Sequence, residues 1–197
     1  MTASPAVTDP PPVAASARPV VPRVAVTRLR LTDFRNYPAL SLDGDGRHVV
    51  LAGENGAGKT NVLEALSLLS PGRGLRRARL DEMARLAGPG TWSVFARLDG
   101  PDGEVRIGTG LEARGEEETP IRRVRIDGET ARSADDLLDH LRVLWLTPAM
   151  DGLFTGPAAE RRRFLDRLVL ALAPGHGAHV AAFEKAMRGR NRLLEDD

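Results

Sequence analysis

The alternation of apolar and polar positions divides the chain into short strand-like and helix-like stretches. "VAVTRLRLTDF" (24–34) alternates with a period near two and predicts a strand. "FRNYPALSLD" (34–43) predicts a turn and a second strand, with Pro38 marking the break. "HVVLAG" (48–53) is a continuous apolar run, the pattern of a buried strand ending at Gly53. "KTNVLEALSLL" (59–69) then places Val62, Leu63, Leu66 and Leu69 at helical spacing, and "SPGRG" stops the helix. "LRRARLDEMARL" predicts a loop with a short helix. "WSVFARLDG", "EVRIGTGLEA" and "RRVRIDG" read as strands, with Asp-Gly at 99–100, 102–103 and 127–128 supplying hairpin turns. "SADDLLDHL" predicts a short helix capped by Ser133, and "LRVLWLTP" a second buried strand closed by Pro148. The remainder predicts two helices, at about 157–173 and 175–195. No internal repeat is visible.

Composition narrows the class. The chain has 197 residues, 42% hydrophobic and 28% charged, with formal net charge +1. That is enough for one domain with a core plus an appendage. The absence of cysteine excludes a disulfide framework and a thiolate metal site. It fits a reducing, cytoplasmic setting. No apolar run approaches ~18 residues, so no transmembrane helix is predicted, and the first residues lack the pattern of a secretory signal. Residues 1–22 are Pro- and Ala-rich and predict a disordered or extended tail, with the fold starting near Arg23. Net charge alone gives no reason to expect nucleic acid, so any basic surface must be local.

Positive charge is carried almost entirely by Arg; only Lys59 and Lys185 are Lys. Lys59 falls in "GENGAGKT", which has the spacing of a phosphate-binding P-loop between a predicted strand and a predicted helix. Each residue type has a physical role there. Gly53, Gly56 and Gly58 let consecutive backbone N–H groups turn inward, and Glu54, Asn55 and Ala57 complete the loop. The amides and the helix N-terminus form a cage for phosphate oxygens. Lys59 is expected to reach the β- and γ-phosphates of a nucleotide, and Thr60 to offer its hydroxyl to Mg²⁺. Other parts of a hydrolytic site are missing from the sequence. "VLWLT" has the apolar run of a Walker B strand but ends in Thr147, and Asp166 lies in a predicted helix. The chain has no Gln to position water and no Ser-Gly-Gly-type signature loop. The expectation is nucleotide binding without hydrolysis by this chain alone.

Four stretches together resemble the bacterial RecF family. These are "LRLTDFRNYPALSL", "GENGAGKTNVLEALSLLSPGRGLR", "PAMDGLFTGPAAERRRFLDRLV" and "FEKAMRGRNRLLE", spanning about residues 26–195. Two positions depart from the family pattern: Ala149 stands where an acidic residue is usual, and Pro157 comes one place early. The resemblance implies an α/β P-loop NTPase fold, an ABC/SMC-like ATPase head lobe with an antiparallel β layer and the start of a helical arm. It divides the chain into a tail (1–22), an ATP-binding lobe (23–150) and a truncated arm (151–197). RecF-like proteins are about twice this long and carry their signature loop and Walker B strand in the second half, so the chain reads as an N-terminal fragment.

The resemblance further implies a weak, dimerisation-linked ATPase in the whole protein. Such a protein binds DNA at gapped or single-strand junctions, and acts with RecO and RecR to load RecA in gap repair and the SOS response. Arg35 and Asn36 then approach the nucleotide, or form only an exposed turn. Arg73, Arg76 and Arg77, with Arg79, form a basic run that contacts DNA phosphates or is simply solvated beside Asp81 and Glu82. Arg161 to Arg163 point in different directions along a helix and do not form one patch. His176 and His179 lack a third ligand for a metal. Trp92 and Trp145 are expected in the core, and Glu116 to Glu118 at a hairpin tip. Rival readings are another SMC-, Rad50- or RecN-like head, a P-loop small-molecule kinase, and a non-enzymatic DNA-binding fragment.

Overall fold

A computed structural model describes residues 23–112, 121–173 and 175–195. The tail and the Glu116–Glu118 tip lie outside them. The centre is a six-stranded antiparallel sheet of order β2-β1-β3-β4-β5-β6. Its strands are β1 (Ala25–Phe34), β2 (Tyr37–Asp43), β3 (Trp92–Gly100), β4 (Gly103–Glu112), β5 (Ile121–Ile126) and β6 (Glu129–Thr130). Among the described residues the α-helices are α1 (Lys59–Ser67), α2 (Ala158–Leu172) and α3 (His176–Glu195).

Period-two alternation gives the sheet one apolar face. Leu29 and Leu31 of β1, Val94, Ala96 and Leu98 of β3, and Ile107 and Leu111 of β4 are buried there. Helix α1 covers this face with Val62 and Ala65, and Leu68 and Leu69 follow it into the core. Phe34 meets Trp92 edge-on, ring centroids 5.5 Å apart, and the Trp92 indole donates to the Leu80 carbonyl at 2.7 Å. Arg122, on the inner side of β5, donates to the Leu68, Ser70 and Gly72 carbonyls. A guanidinium from the sheet thus satisfies carbonyls left open at the end of α1. Burial lowers the pKa of this arginine to about 10.

The helical face differs from the expected one. Leu63 is 48% exposed, whereas Glu64 and Ser67 are buried. The two predicted buried strands are also corrected. Residues 48–53 and 141–147 are irregular chain outside the sheet, with Val50 88% and Leu146 80% exposed. A strand needs a neighbour to satisfy its backbone groups, and among the described residues none runs beside either segment. Trp145 is accordingly only half-buried, under the Arg167 guanidinium at 4.4 Å, while Trp92 is core as expected.

Helices α2 and α3 form a hairpin with no buried residue in α2. Arg162 lies 3.6 Å from the Phe183 ring centroid, and Asp166 holds His176 at 3.0 Å. No helix among the described residues is long and apolar enough to cross a membrane.

Candidate nucleotide-binding site

The loop between residue 52 and α1 is shaped by its glycines. Gly53, Gly56 and Gly58 have φ of 147°, 88° and 98°, a region that L side chains rarely adopt. Gly58 is required twice over. A Cβ there would lie 2.5 Å from the Tyr37 hydroxyl and 2.7 Å from Asn36 Nδ2. The β1–β2 turn therefore sits directly against the start of α1. Tyr37 donates to the Ala57 carbonyl at 3.3 Å, and Asn61 Nδ2 donates to Asn36 Oδ1 at 2.7 Å.

Lys59 opens α1, and its Nζ donates to the Gly53 and Glu54 carbonyls at 2.7 and 2.6 Å. Two ammonium protons thus bridge the loop and the third is left for an oxygen from outside. Thr60, the second residue of α1, is exposed, as are Glu54, Asn55, Gly56 and Ala57. The glycine loop, the helix N-terminus and the Lys59 ammonium lie together, the loop exposed, a set of groups that suits phosphate oxygens.

Arg35 and Asn36 occupy the turn that supports this loop. Arg35, at φ 55°, donates from Nε and Nη2 to the two oxygens of Glu64 at 2.9 and 2.7 Å. Its Nη1 donates to the Glu82 carbonyl at 2.7 Å. Arg76 Nη1 donates to Glu64 Oε2 at 2.6 Å and to Asn61 Oδ1 at 2.7 Å. One buried carboxylate therefore joins the β1–β2 turn, α1 and the basic loop after it. Of the candidate DNA-contacting arginines, Arg76 belongs to this network. Arg73 and Arg77 are exposed, and neither has a salt bridge among the described residues.

Sequence reasoning assigns Glu64, Asn61 and Tyr37 no role of their own. The available signal is an acidic residue between Val62 and Ala65, two apolar residues that the helix buries. Arg161 caps Gly156 at 2.6 Å, Arg163 pairs with Glu160, and Arg162 faces Asp166 and Phe183. The three arginines thus have separate partners. Among the described residues no three His, Asp or Glu side chains gather into a metal cluster, and His176 is instead paired with Asp166.

No family model matches the chain. It is 63% identical over 174 residues to the DNA replication and repair protein RecF of Rhizobium leguminosarum bv. trifolii (strain WSM2304), covering 88% of this chain and 46% of that one. The RecF of Rhizobium meliloti (strain 1021) gives the same identity and coverage. That of Mesorhizobium japonicum (strain LMG 29417 / CECT 9101 / MAFF 303099) is 65% identical over 171 residues, 87% of this chain and 45% of the relative. The chain spans about half the length of the curated relatives it matches. A solved structure of the recombination mediator protein RecF-ATP in the RecFOR pathway superimposes with TM-score 0.76 at 21% identity, over 92% of this chain and 47% of that one. A second, of RecF-ATPrS, gives 0.72 at 20% identity, over 88% and 45%. At these identities the two structures show a shared fold, here the antiparallel sheet packed on the helix after the glycine loop, with a helical segment following.

Proposed function

We propose that the chain, which is 63% identical over 174 residues to RecF proteins and covers 46% of their length, is the ATP-binding lobe of a RecF-family DNA replication and repair protein. The observation that carries this reading is the seating of Gly58 under Tyr37 and Asn36, which fixes a left-handed glycine loop in front of Lys59. A loop held this way is ready for phosphate before phosphate arrives, which reduces the ordering cost of binding.

In this reading the backbone amides from Gly53 to Gly58 hold the β-phosphate, and Lys59 spans the β- and γ-phosphates. Thr60 and phosphate oxygens would hold Mg²⁺, which when bound neutralises charge on the phosphates. Arg35 and Asn36 act by fixing the loop from behind. Residues 23–150 form the nucleotide lobe and 151–197 the beginning of an arm, following a tail at 1–22. The chain binds ATP without turning it over.

With the rest of a RecF-type protein, the lobe closes on a second copy around ATP and holds gapped or single-stranded DNA. It works with RecO and RecR in loading RecA during cytoplasmic gap repair and the SOS response. Arg73 and Arg77 supply phosphate contacts beside the nucleotide lobe. Support comes from the relatives, which are DNA replication and repair proteins by name, and from the first structural neighbour, which is RecF with ATP.

The reading is tested by displacing a fluorescent ATP analogue from the chain with ATP–Mg²⁺, ADP–Mg²⁺ and adenosine. A phosphate cage predicts displacement by both nucleotides and none by adenosine. Equal displacement by adenosine would assign recognition to the base rather than to the loop.

A further inference from the structure

The sheet face opposite α1 is open and is rich in arginine. Alternation places Arg28, Arg30 and Thr32 of β1 there, with Ser93, Phe95 and Arg97 of β3. Register extends the rows across β4 and β5. Arg28 stands opposite Arg97, and Arg97 opposite Arg106. Arg30 stands opposite Phe95, Phe95 opposite Gly108, and Gly108 opposite Arg125. Like charges directly opposite one another destabilise a sheet, and each arginine of the first row has a carboxylate partner that offsets this: Asp43 pairs with Arg28, Glu104 with Arg97 at 3.5 Å, and Asp127 with Arg106 at 3.7 Å. The Arg28 hydrogen bond, with further attraction from Arg30 and Arg97, holds the Asp43 carboxyl below its usual pKa. Arg97 Nε is buried without a hydrogen-bond partner.

A trench of about 550 Å³ runs beside the middle row, lined by Phe95, Gly108 and Arg125 with Ser93, Gly110 and Arg123, and Arg30 stands outside it. Phe95 is half-buried, with part of its ring open to solvent. A Cβ at Gly108 would meet nothing nearer than the Arg125 Cβ at 4.0 Å, so the space beside the ring is open. Arg30 is exposed and has no acidic partner among the described residues. Glu112, at one end, is already engaged by Arg123 and Arg125 at 3.0 and 3.2 Å. Arg30 and Arg125 stand three strand spacings apart, roughly 14 Å, a span that a few nucleotides of extended strand cover.

We propose that this open face binds single-stranded DNA, a base stacking on Phe95 while Arg30 and Arg125 take phosphates on either side of it. An aromatic flanked by glycine and arginine on a sheet surface suits a planar base joined to anions, and stacking on it is tolerant of sequence. A duplex keeps its bases inside and offers Phe95 nothing to stack on. This site is separate from the glycine loop and from Arg73 and Arg77, and it rests on the DNA-binding part of the function proposed above.

The test is fluorescence anisotropy with labelled oligo-dT and with a duplex of equal length. The proteins are the 197-residue chain and its Phe95→Ala, Phe95→Tyr and Arg30→Ala/Arg125→Ala variants, each checked for folding by circular dichroism. The expected result is about tenfold weaker oligo-dT binding by Phe95→Ala, within the range for one stacked base. Duplex binding by that variant is unchanged, and Phe95→Tyr keeps the affinity of the parent. The double arginine variant weakens oligo-dT binding and lowers its salt slope by about 0.7 per lost phosphate contact. Should Phe95→Ala fail to fold, Phe95→Leu against Phe95→Tyr makes the same comparison. Parental DNA binding unaffected by any of these changes would overturn the site and leave the DNA reading standing. No DNA binding by the parent chain would overturn both. Competition by polyglutamate, with sensitivity to the arginines but not to Phe95, would assign the face to an acidic protein partner instead.

Discussion

At the scale of single residues, the arrangement around Glu64 decides how the site is held. Its side chain is fully buried between Arg35 and Arg76, whose side chains are 19% and 40% exposed. Removing one partner of a buried pair leaves uncompensated charge and costs about 3–5 kcal/mol. Glu64→Ala is therefore expected to lower stability by about 3 kcal/mol in urea denaturation, whereas Arg76→Ala, at the more exposed end, costs less. Equal, small losses in both would mean that the network is not formed in solution. Gly58 is constrained by its backbone and by Tyr37 and Asn36. Gly58→Ala is expected to cost about 1–3 kcal/mol of strain and to release the β1–β2 turn. Faster amide exchange around residues 35–37 would report that release. Neither residue's partners are legible in the sequence, because hydrogen bonds between side chains 29 positions apart, as from Arg35 to Glu64, leave no local pattern.

At the scale of elements, legibility follows the source of each element's stability. The hairpin strands are readable because alternation and Asp-Gly turns act locally, and β3 and β4 fall where the pattern places them. Helices α2 and α3 are readable from composition and breakers. Residues 48–53 and 141–148 read as buried strands on hydrophobicity alone. Hydrophobicity states that a segment favours burial, and a neighbouring strand must supply the pairing. The exposed state of these segments makes a specific prediction. Val50→Asp and Leu146→Asp are expected to change the stability of this chain by about 0.5 kcal/mol or less. Leu31→Ala, at 1% exposure in the sheet core, is expected to cost about 2–5 kcal/mol. Thermal denaturation of the three variants makes the comparison, and a large loss from Val50→Asp would show that the segment is buried after all.

At the scale of the molecule, one sheet organises the two proposed binding surfaces. Its inner face packs on α1 and so presents the glycine loop, and its outer face carries the arginine rows and Phe95. The glycine-loop site is legible because a phosphate cage is made from contiguous backbone, so its residues are adjacent in sequence. The outer face is not, since its arginines come from separate strands and are gathered only by register. The central claim is that "GENGAGKT" forms a working phosphate cage in this chain. Titration calorimetry with ATP–Mg²⁺ on the chain and on Lys59→Ala tests it most directly. Loss of the charged hydrogen bonds from Lys59 amounts to about 1.5–3 kcal/mol. Binding by the parent chain is therefore expected, weakened roughly 10- to 100-fold in Lys59→Ala. Binding of equal strength in both proteins would contradict the claim.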